Sequence, residues 1–191
     1  MLRDLKSTPN QLTMLRLVFV PLAAISVVEA KFGLALAVFL LAGISDALDG
    51  FLARTLNQKT LLGQYLDPIA DKLLLSTMFV VLSGMHRIPW KFTILVFSRD
   101  IGILLVSALL FALTPIRDFK PSIFGKLNTI AQIATVLLVL LREVRATPWL
   151  TTAKSIALWS TFSLTLLSWI HYTFLMGQRL RSTPEKPSAA A

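Results

Sequence analysis

Asp46-Ala47-Leu48-Asp49-Gly50-Phe51-Leu52-Ala53-Arg54 and, after eight intervening residues, Gly63-Gln64-Tyr65-Leu66-Asp67-Pro68-Ile69-Ala70-Asp71 place four carboxylates inside segments that are otherwise apolar. The chain has only ten Asp and Glu in total, so this is a costly use of them. An ionised side chain at the centre of a membrane helix costs roughly 2.5–3.5 kcal/mol on insertion scales and marks a functional site by default. Residues three and four apart share a helix face. That spacing puts Asp46, Asp49, Gly50 and Ala53 on one stripe, and Gly63, Asp67 and Asp71 on another. Two such helices facing each other would gather four carboxylates in one small volume.

Four like charges cannot remain together unpaired. Either some are protonated or cations neutralise them. About two divalent ions would balance the charge, and hard oxygen ligands select Mg, Mn or Ca. The chain has no Cys and only two His, which argues against zinc or iron. A two-metal site flanked by an arginine points to phosphoryl-type transfer. An internal salt-bridge network is the alternative, but the four aspartates outnumber the nearby cations Arg54 and Lys72. Gly50 and Ala53 also suit close helix approach, and Pro68 predicts a kink.

The surrounding chain sets these carboxylates in a membrane. Of 191 residues 55% are hydrophobic, and the mean hydropathy is +0.71. Length and hydropathy predict one all-α integral membrane domain over 1–176, with a disordered cytoplasmic tail over 177–191. Six spans are expected near 12–29, 33–53, 61–84, 91–113, 124–141 and 153–176, forming a six-transmembrane-helix bundle with the metal site between helices 2 and 3. A cleaved leader is the other reading of the N-terminus, but Arg16 interrupts its apolar run.

The net charge of +9 would suggest nucleic acid in a soluble protein. In a membrane protein it reads as positive-inside loops, and no nucleic-acid partner is expected. Eleven cations, from Arg3 to Lys186, fall on the side of the termini. Six (Lys31, Arg87, Lys91, Arg142, Arg145 and Lys154) fall on the other. Both termini and the active site are therefore expected on the cytoplasmic side of the cell (inner) membrane. Trp90, Trp149, Trp159 and Trp169 read as interface anchors or lipid-facing packing, and His86 and His171 as surface or packing residues.

The quoted stretch resembles the signature of the CDP-alcohol phosphatidyltransferases, D-x-x-D-G-x-x-A-R-x(8)-G-x-x-x-D-x-x-x-D, at all eight fixed positions. Pro9-Asn10-Gln-Leu-Thr13-Met-Leu-Arg16 is similar to the family's opening motif. Ser98-Arg99-Asp100 and Gly125-Lys126-Leu-Asn-Thr129-Ile-Ala-Gln132 resemble later segments of its enzymes for anionic phospholipids. The resemblance implies transfer of a phosphatidyl group from CDP-diacylglycerol to an alcohol with release of CMP. It implies Asp46, Asp49 and Asp67 as ligands of two divalent cations, Mg or Mn. Asp71 would be a further ligand or the catalytic base. Gly50, Ala53, Arg54 and Gly63 would hold the CDP group. Asn10 and Thr13 are expected there too, with helix capping as their alternative. A homodimer is expected by resemblance alone.

Arg99, Lys126 and Arg117 are candidates for binding the acceptor's phosphate, with Lys120 nearby. For Arg99, pairing with Asp100 is the alternative. The expected acceptor is sn-glycerol 3-phosphate, giving phosphatidylglycerophosphate. The alternative is phosphatidylglycerol, giving cardiolipin. The glycerophosphate branch usually has a second arginine eight residues after the one matching Arg99, and this chain has Ser107. A divalent-cation or proton-coupled transporter would use similar carboxylates, but gives no reason for Gly50, Ala53 and Arg54 at their offsets.

Overall fold

The computed structural model describes residues 8–55, 61–113 and 123–181, with side chains over 17–45, 72–105 and 123–174. Six helices and no strand occur among them: α1 (Thr8–Val28), α2 (Phe32–Thr55), α3 (Leu61–Gly84), α4 (Trp90–Leu113), α5 (Ile123–Val144) and α6 (Pro148–Arg181). The all-α expectation holds. α3 has the expected bounds. α1 begins four residues early, with Pro9 in its first turn, where a missing N–H costs nothing. α6 begins five residues early for the same reason at Pro148, and it continues to Arg181. The expected tail boundary at 177 therefore falls within a helix, and residues 182–191 lie outside the described residues.

Turns of a few residues join α1 to α2, α3 to α4 and α5 to α6. Two of them are helix ends closed without glycine. Ala30 (φ 56°) and His86 (φ 57°) take the left-handed conformation. The Lys31 N–H donates to the Ser26 carbonyl and the Ala30 N–H to that of Val27. The Arg87 N–H donates to Leu82 and the His86 N–H to Ser83 in the same pattern. This is the double bond pattern that satisfies the last carbonyls of a helix.

One apolar cluster joins Ala23 and Val27 of α1, Ala35, Phe39 and Ala42 of α2, Leu75, Met78 and Leu82 of α3, and Val136, Val139 and Leu140 of α5. α1 and α5 each pack against both α2 and α3, and α6 packs against α5 and α4. Phe92, Trp159 and Phe162 interlock edge to face between α4 and α6, with ring centroids 5.6–5.8 Å apart.

The distribution of polarity is the reverse of a water-soluble protein's. Arg99, Asp100, Asn128, Gln132, Thr135, Thr161, Thr165 and Ser168 are buried. Large apolar side chains point outward from every helix: Leu22 and Ile25, Leu40 and Leu41, Leu73 and Val80, Ile94 and Leu104, Ile130 and Ile133, Ile156 and Ile170. Such a surface is a liability in water and a match for lipid. Among the described residues α5 alone is long and apolar enough to qualify as a span on composition. Leu17–Val28, Phe32–Ser45 and Lys72–Gly84 form shorter apolar runs. Ser and Thr dilute the apolar run of α6.

Gly102 sets the spacing of α4 and α6. A Cβ there would stand 2.6 Å from two ring atoms of Trp169. Trp169 follows Ser168, which bonds to Arg99 one turn before Gly102. Gly102→Ala is therefore expected to force the indole away, at a cost of about 1–3 kcal/mol. Thermal unfolding in detergent checks this, and Trp169→Phe should recover part of the loss.

Candidate active site

The motif positions continue the buried stripes of their helices. On α2 the buried positions Ala35, Phe39 and Ala42 run on at three- and four-residue steps to 46, 49 and 53. On α3 the buried positions Leu82, Met78 and Leu74 run back to 71, 67 and 63. Both motif stripes are thus in register with the core cluster that α1 and α5 complete. The side chains of Asp46, Asp49, Gly50, Ala53, Arg54, Gly63, Asp67 and Asp71 lie outside the described residues, as do those of Asn10 and Thr13 on α1. Arg117 lies outside them altogether. Among the described residues no group of three or more His, Asp or Glu could hold a metal.

The described part of the site is a buried ionic cluster beside the second stripe. Arg99, 7% exposed, donates from Nη1 to Oδ1 of Asp100 at 2.8 Å. It also donates from Nε and Nη2 to Oγ of Ser168 on α6, at 3.2 and 2.8 Å. The other Asp100 oxygen meets Nζ of Lys72 at 2.5 Å, as an ion pair rather than an aligned hydrogen bond. Lys72 directly follows Asp71. One carboxylate therefore binds the aspartate helix to the arginine of α4, and the arginine binds both to α6. Among the described side chains the cluster contains two cations and one anion, a cationic excess of the kind that binds phosphate.

A hydroxyl and amide seam extends from this cluster between α5 and α6. Thr165 donates to Oδ1 of Asn128 at 2.8 Å and to the Thr161 carbonyl at 2.7 Å. The Thr161 and Thr135 hydroxyls meet at 2.8 Å. The amide nitrogens of Asn128 and Gln132 are buried without a partner. Thr129 bonds back to the Gly125 carbonyl at 3.2 Å, an ordinary helical contact. Lys126 is exposed and is not brought to Arg99 by any described contact. The pairing of Arg99 with Asp100 is present, as the sequence allowed. Ser168 and the Asn128–Thr165 bond carried no sequence signal, because their partners lie 69 and 37 residues apart. His171 packs on the Phe124 ring with centroids 5.0 Å apart.

Comparisons with known proteins agree with the motif. Human cardiolipin synthase (CMP-forming) is 36% identical over 146 residues, covering 67% of this chain and 48% of that protein. The rat enzyme of the same name gives the same figures. The chain thus spans about half the length of these two relatives. The CDP-diacylglycerol–glycerol-3-phosphate 3-phosphatidyltransferase of Aquifex aeolicus is 33% identical over 173 residues, covering 87% of this chain and 94% of that protein. Residues 6–167 match the CDP-alcohol phosphatidyltransferase family, and the chain, which carries that family's full motif, belongs to it.

Proposed function

We propose that this chain is a multi-pass membrane phosphatidyltransferase. It would move the phosphatidyl group of CDP-diacylglycerol to a glycerol-type alcohol and release CMP. The observation that carries this reading is the full motif, six of whose eight positions lie in register with the buried faces of two helices. Six spans are supported by outward apolar side chains on every helix, and the family's enzymes are membrane-bound. The charge asymmetry of the loops supports a cytosolic motif end.

The family generally uses divalent cations, and the four carboxylates of the motif are a fitting donor set. Asp46, Asp49, Asp67 and Asp71 would hold two Mg or Mn ions, which supply charge neutralisation on the diphosphate when bound. Arg54 would grip a phosphate as a planar fork. Gly50, Ala53 and Gly63 leave room for the nucleotide, with Asn10 and Thr13 at its edge. Asp71 would take the proton of the acceptor hydroxyl. The hydroxyl oxygen forms its bond to the phosphatidyl phosphorus as the bond from that phosphorus to CMP breaks.

The acceptor we propose is sn-glycerol 3-phosphate, as in the name of the Aquifex relative that the chain covers almost entirely. Phosphatidylglycerol is the second reading, favoured by Ser107 and by the human relative's name. Purified protein given CDP-diacylglycerol and each acceptor in turn decides by the mass of the product. Formation of neither product, with no CMP released, would refute the enzyme reading. Under either acceptor Arg99 and Lys126 would bind its phosphate, and Arg117 is placed with them by sequence alone. A charge-assisted contact contributes about 1.5–3 kcal/mol, so Arg99→Ala is expected to raise the acceptor KM roughly tenfold or more. The KM for CDP-diacylglycerol should change little. Equal effects on both substrates would place Arg99 outside the acceptor pocket.

A further inference from the structure

A second charged cluster sits where the turn between α3 and α4 comes against α5 and the start of α6, at the end of the bundle opposite to the motif. Glu143, its side chain 6% exposed, accepts Nη1 of Arg87 at 3.0 Å and Nη1 of Arg142 at 2.9 Å. Lys154, half-buried on α6, lies within Coulombic reach of all three. Three basic side chains thus stand near one carboxylate, an excess of base over acid among the described residues. Arg87 Nε and Thr147 Oγ1 are buried donors with no partner. The Arg87 guanidinium is further fixed over the Phe32 ring, 5.3 Å from its centroid.

The level of this cluster is marked by two exposed indoles, Trp90 at 48% and Trp149 at 65%, each at the start of a helix. Exposed tryptophans at helix ends settle at the headgroup layer of a bilayer. Surplus cations at this end also run against the loop-charge asymmetry that orients the chain, so they call for a local reason. We propose that Arg87, Arg142 and Lys154 form a binding site for the headgroup phosphate of an anionic phospholipid in the leaflet opposite to the active site. Glu143 bridges the two guanidinium groups, and Lys154 adds a third basic group beside them. A phosphodiester among them takes up the unused donors and the excess charge together. A zwitterionic lipid brings its own cation and gains less.

This inference rests on the membrane-spanning reading proposed above, and the test separates the two. The protein is reconstituted in bilayers containing phosphatidylglycerol or phosphatidylcholine brominated near the glycerol end of the acyl chain. Tryptophan quenching is measured, and the share lost in Trp149→Phe reports this end alone, away from the active site. The expected result is a preference for the anionic lipid of about fivefold, the effect of roughly one well-placed cation near a lipid surface. Lys154→Gln should remove most of it and Lys154→Arg should keep it. Lys154→Gln leaves both Glu143 bridges in place, so it decides the matter even if Arg142→Gln fails to fold. Equal quenching of Trp149 by the two lipids overturns the inference, as does a preference that survives Lys154→Gln. Quenching by neither lipid overturns the membrane reading and the site with it. Loss of the preference on adding inorganic phosphate, but not chloride of equal ionic strength, assigns the site to free phosphate instead and overturns the lipid as its ligand.

Discussion

Asp49→Asn and Asp67→Asn are each expected to lower CMP release from CDP-diacylglycerol by about 10²–10⁴-fold. A divalent ion on a phosphoryl oxygen contributes several kcal/mol to the transition state, and each 1.4 kcal/mol is tenfold in rate. Neutralising one ligand removes that ion or misplaces it. Chelator should abolish turnover in the parent, and Mg or Mn should restore it. Asp71→Asn is the informative comparison. As a base it would lower kcat while leaving affinity for the CDP-lipid near that of the parent. Turnover undiminished in chelator would remove the two-metal reading.

Asp100→Ala is expected to cost about 3–5 kcal/mol of stability, toward the lower end because Lys72 is one-third exposed. Removal of Asp100 strands two cations, Arg99 and Lys72, in the middle of the bundle. The loss should be read as a lower melting temperature in detergent and as less protein recovered from membranes. Asp100→Asn keeps an acceptor for Arg99 and should lose less. Lys72→Met relieves one stranded charge, so in the Asp100→Asn background it should restore part of the loss rather than add to it. Additive losses would mean that the three residues do not act as one cluster.

The sequence told more about the chemistry than about its supports. Helix number and the bounds of α3 followed from apolar runs, and the motif from its spacing. The early start of α6 was hidden because Ser and Thr replace apolar residues in its first turns, although Thr147 followed by Pro148 is a helix-start signal. The left-handed ends at Ala30 and His86 carried no glycine to mark them. Arg99 could be read two ways because its neighbour Asp100 and a substrate phosphate offer the same charge. Ser168 and Asn128 were invisible as site supports, since a hydroxyl or amide declares its partner only when helices far apart in the chain have packed.

The length of α6 has a consequence for how substrate arrives. Its 34 residues make a rod about 51 Å long. A bilayer's hydrocarbon is about 30 Å thick, and helix tilts stay within about 40°. Tilt alone cannot hide such a rod. In the proposed membrane-spanning arrangement, with Trp149 at one boundary, roughly 10–20 Å of the other end would stand clear of the oil. That stub carries Arg179 and Arg181, on the side of the aspartate motif. Each such cation draws anionic lipid with about 1 kcal/mol. CDP-diacylglycerol, the donor in the proposed reaction, is itself anionic, so on that reading the stub would act as bait, raising the local supply of the donor lipid beside the mouth through which it would enter.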